Sequence, residues 1–212
     1  MSKILHYAQR QTLLEQEQTY LSIDLDYWRD KVFPNPFIEK AVRLAKWLPH
    51  VVVADHAEMI HAINKLRCPQ VVNVDYHSDL PEAGAPDEEV PLECGTWGLF
   101  VEGPRRCFAW SYPHSRVIVG SDNNSSSGFC NYRAQSNPFD YSDPKPFCGW
   151  ERTVLSPPSR LLSLLSLNIV GVGFCLSREW FESEKDANRV TKRFYDLAKD
   201  HLNGDWQKLE LV

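Results

Sequence analysis

The chain contains no Cys-x-x-Cys pair: Cys68, Cys94, Cys107, Cys130, Cys148 and Cys175 are scattered along it. Structural zinc held through sulfur is therefore not expected, and reduced, mostly buried thiols are. Also missing is any apolar run near the roughly 20 residues that cross a bilayer. The opening Met1-Ser2-Lys3-Ile4-Leu5-His6 lacks the long apolar region of a signal peptide. A cytoplasmic protein without a membrane partner is the expectation. Nor is there a basic excess: the formal net charge is -5, which lacks the electrostatic footprint of a nucleic-acid binder. No internal repeat or second apolar core interrupts the sequence. At 212 residues, 43% of them hydrophobic, it suffices for one sizeable core, so residues 1–212 are expected to form a single domain.

What the chain does contain is a set of short apolar runs that end in acidic and imidazole groups. Val71-Val72-Asn73-Val74 is a nearly continuous β-branched run, suited to a strand covered on both faces, and it runs into Asp75-Tyr76-His77-Ser78-Asp79. If the strand continues, its period of two sends Asp75, His77 and Asp79 to one face. Two carboxylates and an imidazole so placed repel and desolvate one another unless a cation or a hydrogen-bond network compensates. Tyr20-Leu21-Ser22-Ile23 ends in Asp24-Leu25-Asp26, and Val51-Val52-Val53-Ala54 ends in Asp55-His56. In open α/β sheets ligands sit beyond the carboxyl ends of the strands, where all these groups fall if the strands run parallel.

The intervening segments support that reading. Pro34-Asn35-Pro36 sets up a helix start, and Phe37, Ile38, Ala41, Val42, Leu44, Ala45 and Leu48 form a helical stripe stopped at Pro49. Met59, Ile60, Ile63 and Leu66 form a second apolar face, ended by Cys68-Pro69. Strand and helix thus alternate as βαβαβ, which predicts an α/β fold of three layers, helix, mostly parallel sheet, helix. Further on, Cys107 to Tyr112, Val117 to Val119 and Asn168 to Phe174 read as strands, Ser159 to Leu167 as a short helix and Glu179 to Leu202 as a long one. Residues 3–19 read as an edge hairpin or a loose arm. The Pro- and Gly-rich stretch from Pro81 to Pro91 reads as a loop at the mouth of the site, and residues 121–150 as the least regular segment.

These motifs resemble a known family. Asp75-Tyr76-His77-Ser78-Asp79 is similar to the Asp-x-His-x-Asp ligand strand of the ureohydrolase superfamily, the arginases and agmatinases. Ser22-Ile23-Asp24-Leu25-Asp26 resembles its Ser-x-Asp-x-Asp strand, and Asp55-His56 its Gly-Asp-His element. Asp24-Leu25-Asp26-Tyr27-Trp28 with Asn35-Pro36-Phe37, His77-Ser78-Asp79-Leu80 and Gly95-Thr96-Trp97 are closest to the peptide arginases of ribosomal-peptide natural-product pathways. Those enzymes convert arginine side chains in a precursor peptide to ornithine. Motif-level similarity covers residues 20–100. The Ser-x-Asp-x-Asp strand comes first here and last in arginases, so the resemblance implies an arginase-like fold that is short and circularly permuted.

The resemblance also implies a site. Asp24, Asp26, His56, Asp75, His77 and Asp79 would hold two Mn2+ ions, with Asp75 and Asp24 bridging, His56 beside Asp79 and His77 beside Asp26. Asp79 would also accept a proton from the attacking water. The carboxylate that holds the guanidinium is expected to be Glu93, with Glu58 and Glu179 as second choices, and His114 is the candidate proton donor. Trp97, Trp110, Phe129, Tyr132 and Trp150 are candidates for a groove that takes the arginine-containing precursor peptide, the expected partner. Two other readings stay open: hydrolysis of a small guanidino compound or acylated amine, agmatinase- or deacetylase-like, and a non-catalytic module that binds a leader peptide.

Overall fold

The computed structural model describes residues 16–29, 31–80, 91–113, 145–156, 158–204 and 206. Seven strands form one sheet: β1 (Thr19–Asp24), β2 (His50–Val53), β3 (Gln70–Val74), β4 (Cys107–Ser111), β5 (Lys145–Phe147), β6 (Trp150–Ser156) and β7 (Ile169–Cys175). Their order across the sheet is β2-β7-β1-β3-β4-β6-β5. Every pairing is parallel except that of β5 with β6 at one edge. Among the described residues, three α-helices position the site: α1 (Pro36–Ala45), α2 (Ile60–Leu66) and α3 (Glu184–Ala198).

Alternation along the inner strands separates two apolar clusters, one on each face. Leu21 and Ile23 of β1, Val72 and Val74 of β3, and Val172 and Phe174 of β7 pack with α1 and α3. Tyr20, Val71, Phe108, Trp110 and Cys175 point the other way, onto Ile60 and Ile63 of α2 and onto Trp97 and Trp150. Both faces of the inner strands are therefore covered, as in helix-sheet-helix layering, and this explains why Val71 to Val74 is apolar almost throughout. The α/β architecture with a mostly parallel sheet is the one expected from the alternation of strands and helices.

Local chemistry fixes where the helices begin. Asn35 Oδ1 accepts hydrogen bonds from the amides of Phe37 and Ile38, both at 3.1 Å, while Pro36 occupies the first turn, where its missing N–H costs nothing. Asp55 Oδ1 likewise accepts from Ala57 N at 2.7 Å and starts the 3-10 turn His56–Met59 that leads into α2. Ser183 caps α3 through Asp186 N at 3.1 Å.

The face carrying α2 is crowded against β7. A Cβ added at Gly173 would meet the sulfur of Met59 and stand 2.7 Å from the Tyr20 hydroxyl. Gly173→Ala is therefore expected to destabilise the fold by roughly 1–3 kcal/mol through overpacking, measured as a lower denaturant midpoint at unchanged slope.

Several segments differ from the sequence reading. Trp150–Ser156 is a strand that the reading left unassigned. The exposed Glu151 and half-buried Arg152 are charged and stand before Thr153, Val154 and Leu155, so no apolar alternation marks the start of the strand. Pro158–Ser166 is 3-10 rather than α-helical. The long C-terminal helix is divided into a 3-10 turn, Arg178–Trp180, and α3, because Ser183 is committed to the α3 cap in an extended conformation. The expectations for residues 3–15, 81–90 and 117–119, and for 121–144 within the irregular segment, lie outside the described residues. Among the described residues no helix is long and apolar enough to cross a membrane.

Candidate metal centre

The carboxyl ends of β1 and β3 and the start of the turn after β2 meet on the face that carries α2. Across the sheet, Ser22 pairs in register with Asn73 on one side and Gly173 on the other, and Asp24 pairs with Cys175. Asp24 and Asp75 each lie two residues beyond Ser22 and Asn73, so these polar groups share one face. All of them are buried.

The geometry of convergence is not that of a continuing strand. β3 ends at Val74, and the chain then bends: His77 N donates to Asp75 Oδ1 at 2.8 Å, and Asp79 takes a left-handed backbone with φ of 56°. β1 similarly stops at Asp24, whose Oδ1 accepts from Asp26 N at 3.1 Å and caps the 3-10 turn Leu25–Trp28. The aspartate side chains thus act as local caps as well as members of the cluster. The period-two argument and the structure gather the same residues, but turns rather than strand alternation bring them together.

Two imidazoles organise the cluster. His56 Nδ1 lies 2.9 Å from Asp79 Oδ2 and 3.2 Å from both Asp24 Oδ2 and Asp75 Oδ2. His77 Nδ1 lies 3.1 Å from Asp26 Oδ2 and 3.8 Å from Asp75 Oδ1. Asp75 therefore presents one oxygen to each imidazole. The structure brings together all the expected ligands, Asp24, Asp26, His56, Asp75, His77 and Asp79.

Surrounding donors orient these groups. Ser22 Oγ stands 2.6 Å from His56 Nε2 and donates to the Met59 sulfur at 3.3 Å. With its hydrogen directed at sulfur, Oγ is an acceptor for Nε2–H, and Nδ1, a protonated donor in the metal-free protein, faces three carboxylate oxygens. Asn73 Nδ2 donates to Asp75 Oδ2 at 3.2 Å and Asp79 Oδ2 at 3.1 Å. Trp97 Nε1 donates to Asp79 Oδ2 at 2.5 Å, Ser177 Oγ to Asp24 Oδ2 at 2.6 Å, and Trp110 Nε1 to the Asp75 carbonyl at 3.1 Å. The supporting roles of Ser22 and Asn73 were open to the same-face rule, each standing two positions before a ligand. Those of Ser177, Trp97 and Trp110 depend on contacts across the fold and had no local signal. Asn73→Ala is expected to weaken cation binding by roughly 10–100-fold, as loss of an orienting partner does, measured by titration of the metal-free protein.

Without a cation the electrostatics are unfavourable. Burial and the Asp75 charge push the Asp24 carboxyl above its usual range, and burial with Asp24 and Asp75 pushes Asp26 well above it. Burial and Asp79 raise Asp75 to about 6. Burial opposes protonation of both imidazoles but is outweighed: Asp79, Asp24 and Asp75 hold His56 well above its usual value, and Asp26, Asp75 and Asp79 raise His77 to about 9. Asp26 Oδ2 is buried and, apart from His77 Nδ1 at 3.1 Å, has no hydrogen-bond donor among the described residues. Buried carboxylate oxygens and imidazole nitrogens crowded this closely are the donor set of a divalent cation. Geometrically, the groups Asp24–His56–Cys175, Asp26–Asp75–His77 and His56–Asp75–Asp79 each have ligand atoms within 4.8 Å of one another. These buried Asp/His clusters can hold a metal ion.

The remaining candidates fall elsewhere. Glu93 is exposed in the turn from Pro91 to Thr96, its amide bonded to Thr96 Oγ1 at 3.0 Å, and Glu58 is exposed on the 3-10 turn before α2. Glu179 is also exposed, on the 3-10 turn Arg178–Trp180 that follows β7, and partial burial with Asp55 and Asp24 pushes its carboxyl upward, so its charge is felt at the cluster. Trp97, Trp110 and Trp150 are buried in the core beneath the cluster, where they do not form the wall of an open groove. His114, Phe129 and Tyr132 lie outside the described residues. Comparison with family models, with curated proteins and with solved structures returned no match.

Proposed function

We propose that this protein is a binuclear metal hydrolase of the ureohydrolase type, with a circularly permuted, arginase-like arrangement, that converts arginine side chains of a peptide to ornithine. The observation that carries the reading is Asp75, which turns one oxygen toward His56 and the other toward His77, with Asp24 and Asp79 around the first imidazole and Asp26 beside the second. The oxygen-rich donor set with one imidazole on each side suits Mn2+. When bound, a pair of such ions supplies water acidified to near neutrality, the nucleophile that a guanidinium carbon requires.

The chain's own residues do the rest. Asp79 Oδ2, fixed by Trp97 and Asn73, is placed to take the proton of the attacking water. Glu179, whose carboxyl is pushed upward by burial and by Asp55 and Asp24, is the first candidate to pair with the planar guanidinium before attack, ahead of Glu93 and Glu58. Addition of water to the guanidinium carbon and cleavage of its bond to the side-chain nitrogen, with a proton delivered to that nitrogen, release urea and leave the protonated amine of ornithine.

The test is incubation of manganese-loaded protein with arginine-containing peptides, with urea and the mass change of the peptide both followed. Loss of the mass of cyanamide together with stoichiometric urea is expected. Glu179→Gln should raise KM for the peptide at least tenfold, the effect of removing a charge-assisted pair worth about 1.5–3 kcal/mol. Turnover of free guanidino compounds or acylated amines but of no peptide would assign the agmatinase- or deacetylase-like reading. Peptide affinity without turnover, retained in the metal-free protein, would assign a binding module.

A further inference from the structure

The two halves of the cluster differ chemically. Around His77 the neighbouring ligand atoms are carboxylate oxygens of Asp26 and Asp75, whereas the group around His56 includes a sulfur, since Asp24, His56 and Cys175 bring their ligand atoms within 4.8 Å of one another. Cys175 is the last residue of β7, pairs in register with Asp24 and is wholly buried. Its Sγ lies 3.0 Å from Ser177 Oγ and 3.5 Å from the Ala54 carbonyl. Ser177 spends its hydroxyl hydrogen on Asp24 Oδ2, so it offers the thiol only an acceptor. Structural thiols ordinarily sit among apolar groups. This one lies in the apolar cluster on the α2 face but also has ligand atoms of an aspartate and an imidazole within 4.8 Å and a serine hydroxyl at 3.0 Å.

We propose that Cys175 is a sulfur donor to the cation held at His56, so that this half of the cluster takes a borderline ion such as zinc or cobalt while the His77 half takes a harder one. Thiolate favours zinc-like ions, and carboxylate with imidazole is compatible with manganese, so one strand end gives two adjacent positions different metal preferences. Coordination exchanges the S–H bond for a sulfur–metal bond and releases one proton to the buffer. The proposal rests on the metal centre described above, puts a zinc-like ion in place of manganese at its His56 position, and is independent of the substrate assigned to it.

The experiment is titration of metal-free, full-length protein with cobalt(II), followed by absorbance. A sulfur-to-cobalt charge-transfer band in the near ultraviolet is expected to grow with the visible bands of bound cobalt. Cys175→Ser should abolish the near-ultraviolet band, keep visible bands and weaken zinc binding by roughly 10–100-fold, with a smaller effect on manganese. Cys94→Ser, which removes the half-buried thiol that Asp79 and Glu179 also influence, should leave the band in place. Cobalt-edge X-ray absorption of the unsubstituted protein and of Cys94→Ser gives a readout that needs no change at position 175, with a sulfur neighbour expected at about 2.3 Å. Bound cobalt with neither the band nor a sulfur neighbour overturns the proposal, as does a band lost in Cys94→Ser and kept in Cys175→Ser. Failure to bind cobalt at all would sink the metal centre as well, whereas cobalt bound through nitrogen and oxygen alone sinks only the role of Cys175.

Discussion

Asp75→Asn is expected to stabilise the metal-free protein while it abolishes the stabilisation that added cation brings. Asp75 lies between both imidazoles, and its carboxyl is raised to about 6 by burial and by Asp79. A carboxylate held above its unfolded value costs stability once pH exceeds both values, here on the order of 1–3 kcal/mol at neutral pH. The amide removes that cost, so the apo melting temperature should rise. The same substitution takes away the group that faces both halves of the cluster, so manganese or zinc should no longer raise it. In the unsubstituted protein, cation at about 1,000 times its dissociation constant adds about 4 kcal/mol. Thermal melts of both proteins with and without cation check this pair of opposite shifts. A carboxylate with a purely structural role would give destabilisation in both conditions.

Chelation and pH give the second large effect. In the metal-free protein His77 keeps its proton up to about 9, held there by Asp26, Asp75 and Asp79 against the opposing effect of burial. Its folded value lies above the unfolded one, so its contribution to apo stability is complete below about 6.5 and is lost as pH rises toward 9. His56 is shifted in the same direction. Cation binding requires both imidazoles neutral, so apparent affinity should rise with pH by up to about tenfold per unit for each proton displaced, and the His77 contribution should level off near 9. Apo stability and cation affinity therefore move in opposite directions across the window between about 6.5 and 9. Isothermal titration in buffers of different ionisation enthalpy measures the protons released, and chelator-treated melts measure the stability. An affinity that is flat between pH 6.5 and 9 would rule out these imidazoles as ligands.

Much of the candidate centre could be read from short runs of sequence. The β-branched runs before Asp24, Asp55 and Asp75 announce buried strands, and the polar residues at their ends are out of place unless something is bound there. The covered faces of β3 and the Asn35-Pro36 helix start followed from the same local physics. Some features escaped because they depend on turns rather than on periodicity. Asp79 reaches His56 through a left-handed backbone residue that alternation does not anticipate. Others escaped because they are non-local: Ser177 meets Asp24 across 153 positions, and nothing in the wording of either segment links them. β6 carries no such signal because the exposed Glu151 and half-buried Arg152 interrupt its apolar alternation.

The order of strands in the sheet sets a schedule for assembly. β7, made last, lies between β2 and β1, which are made first. Until residues 169–175 leave the ribosome and insert, the imidazole that follows β2 has no fixed position relative to the aspartate at the end of β1. A nascent chain can therefore complete its His56 half only after Ile169–Cys175 has emerged. Capture of the cation there would report that synthesis of the sheet is finished, and a ribosome-stalled chain ending before Ile169 should leave that half open.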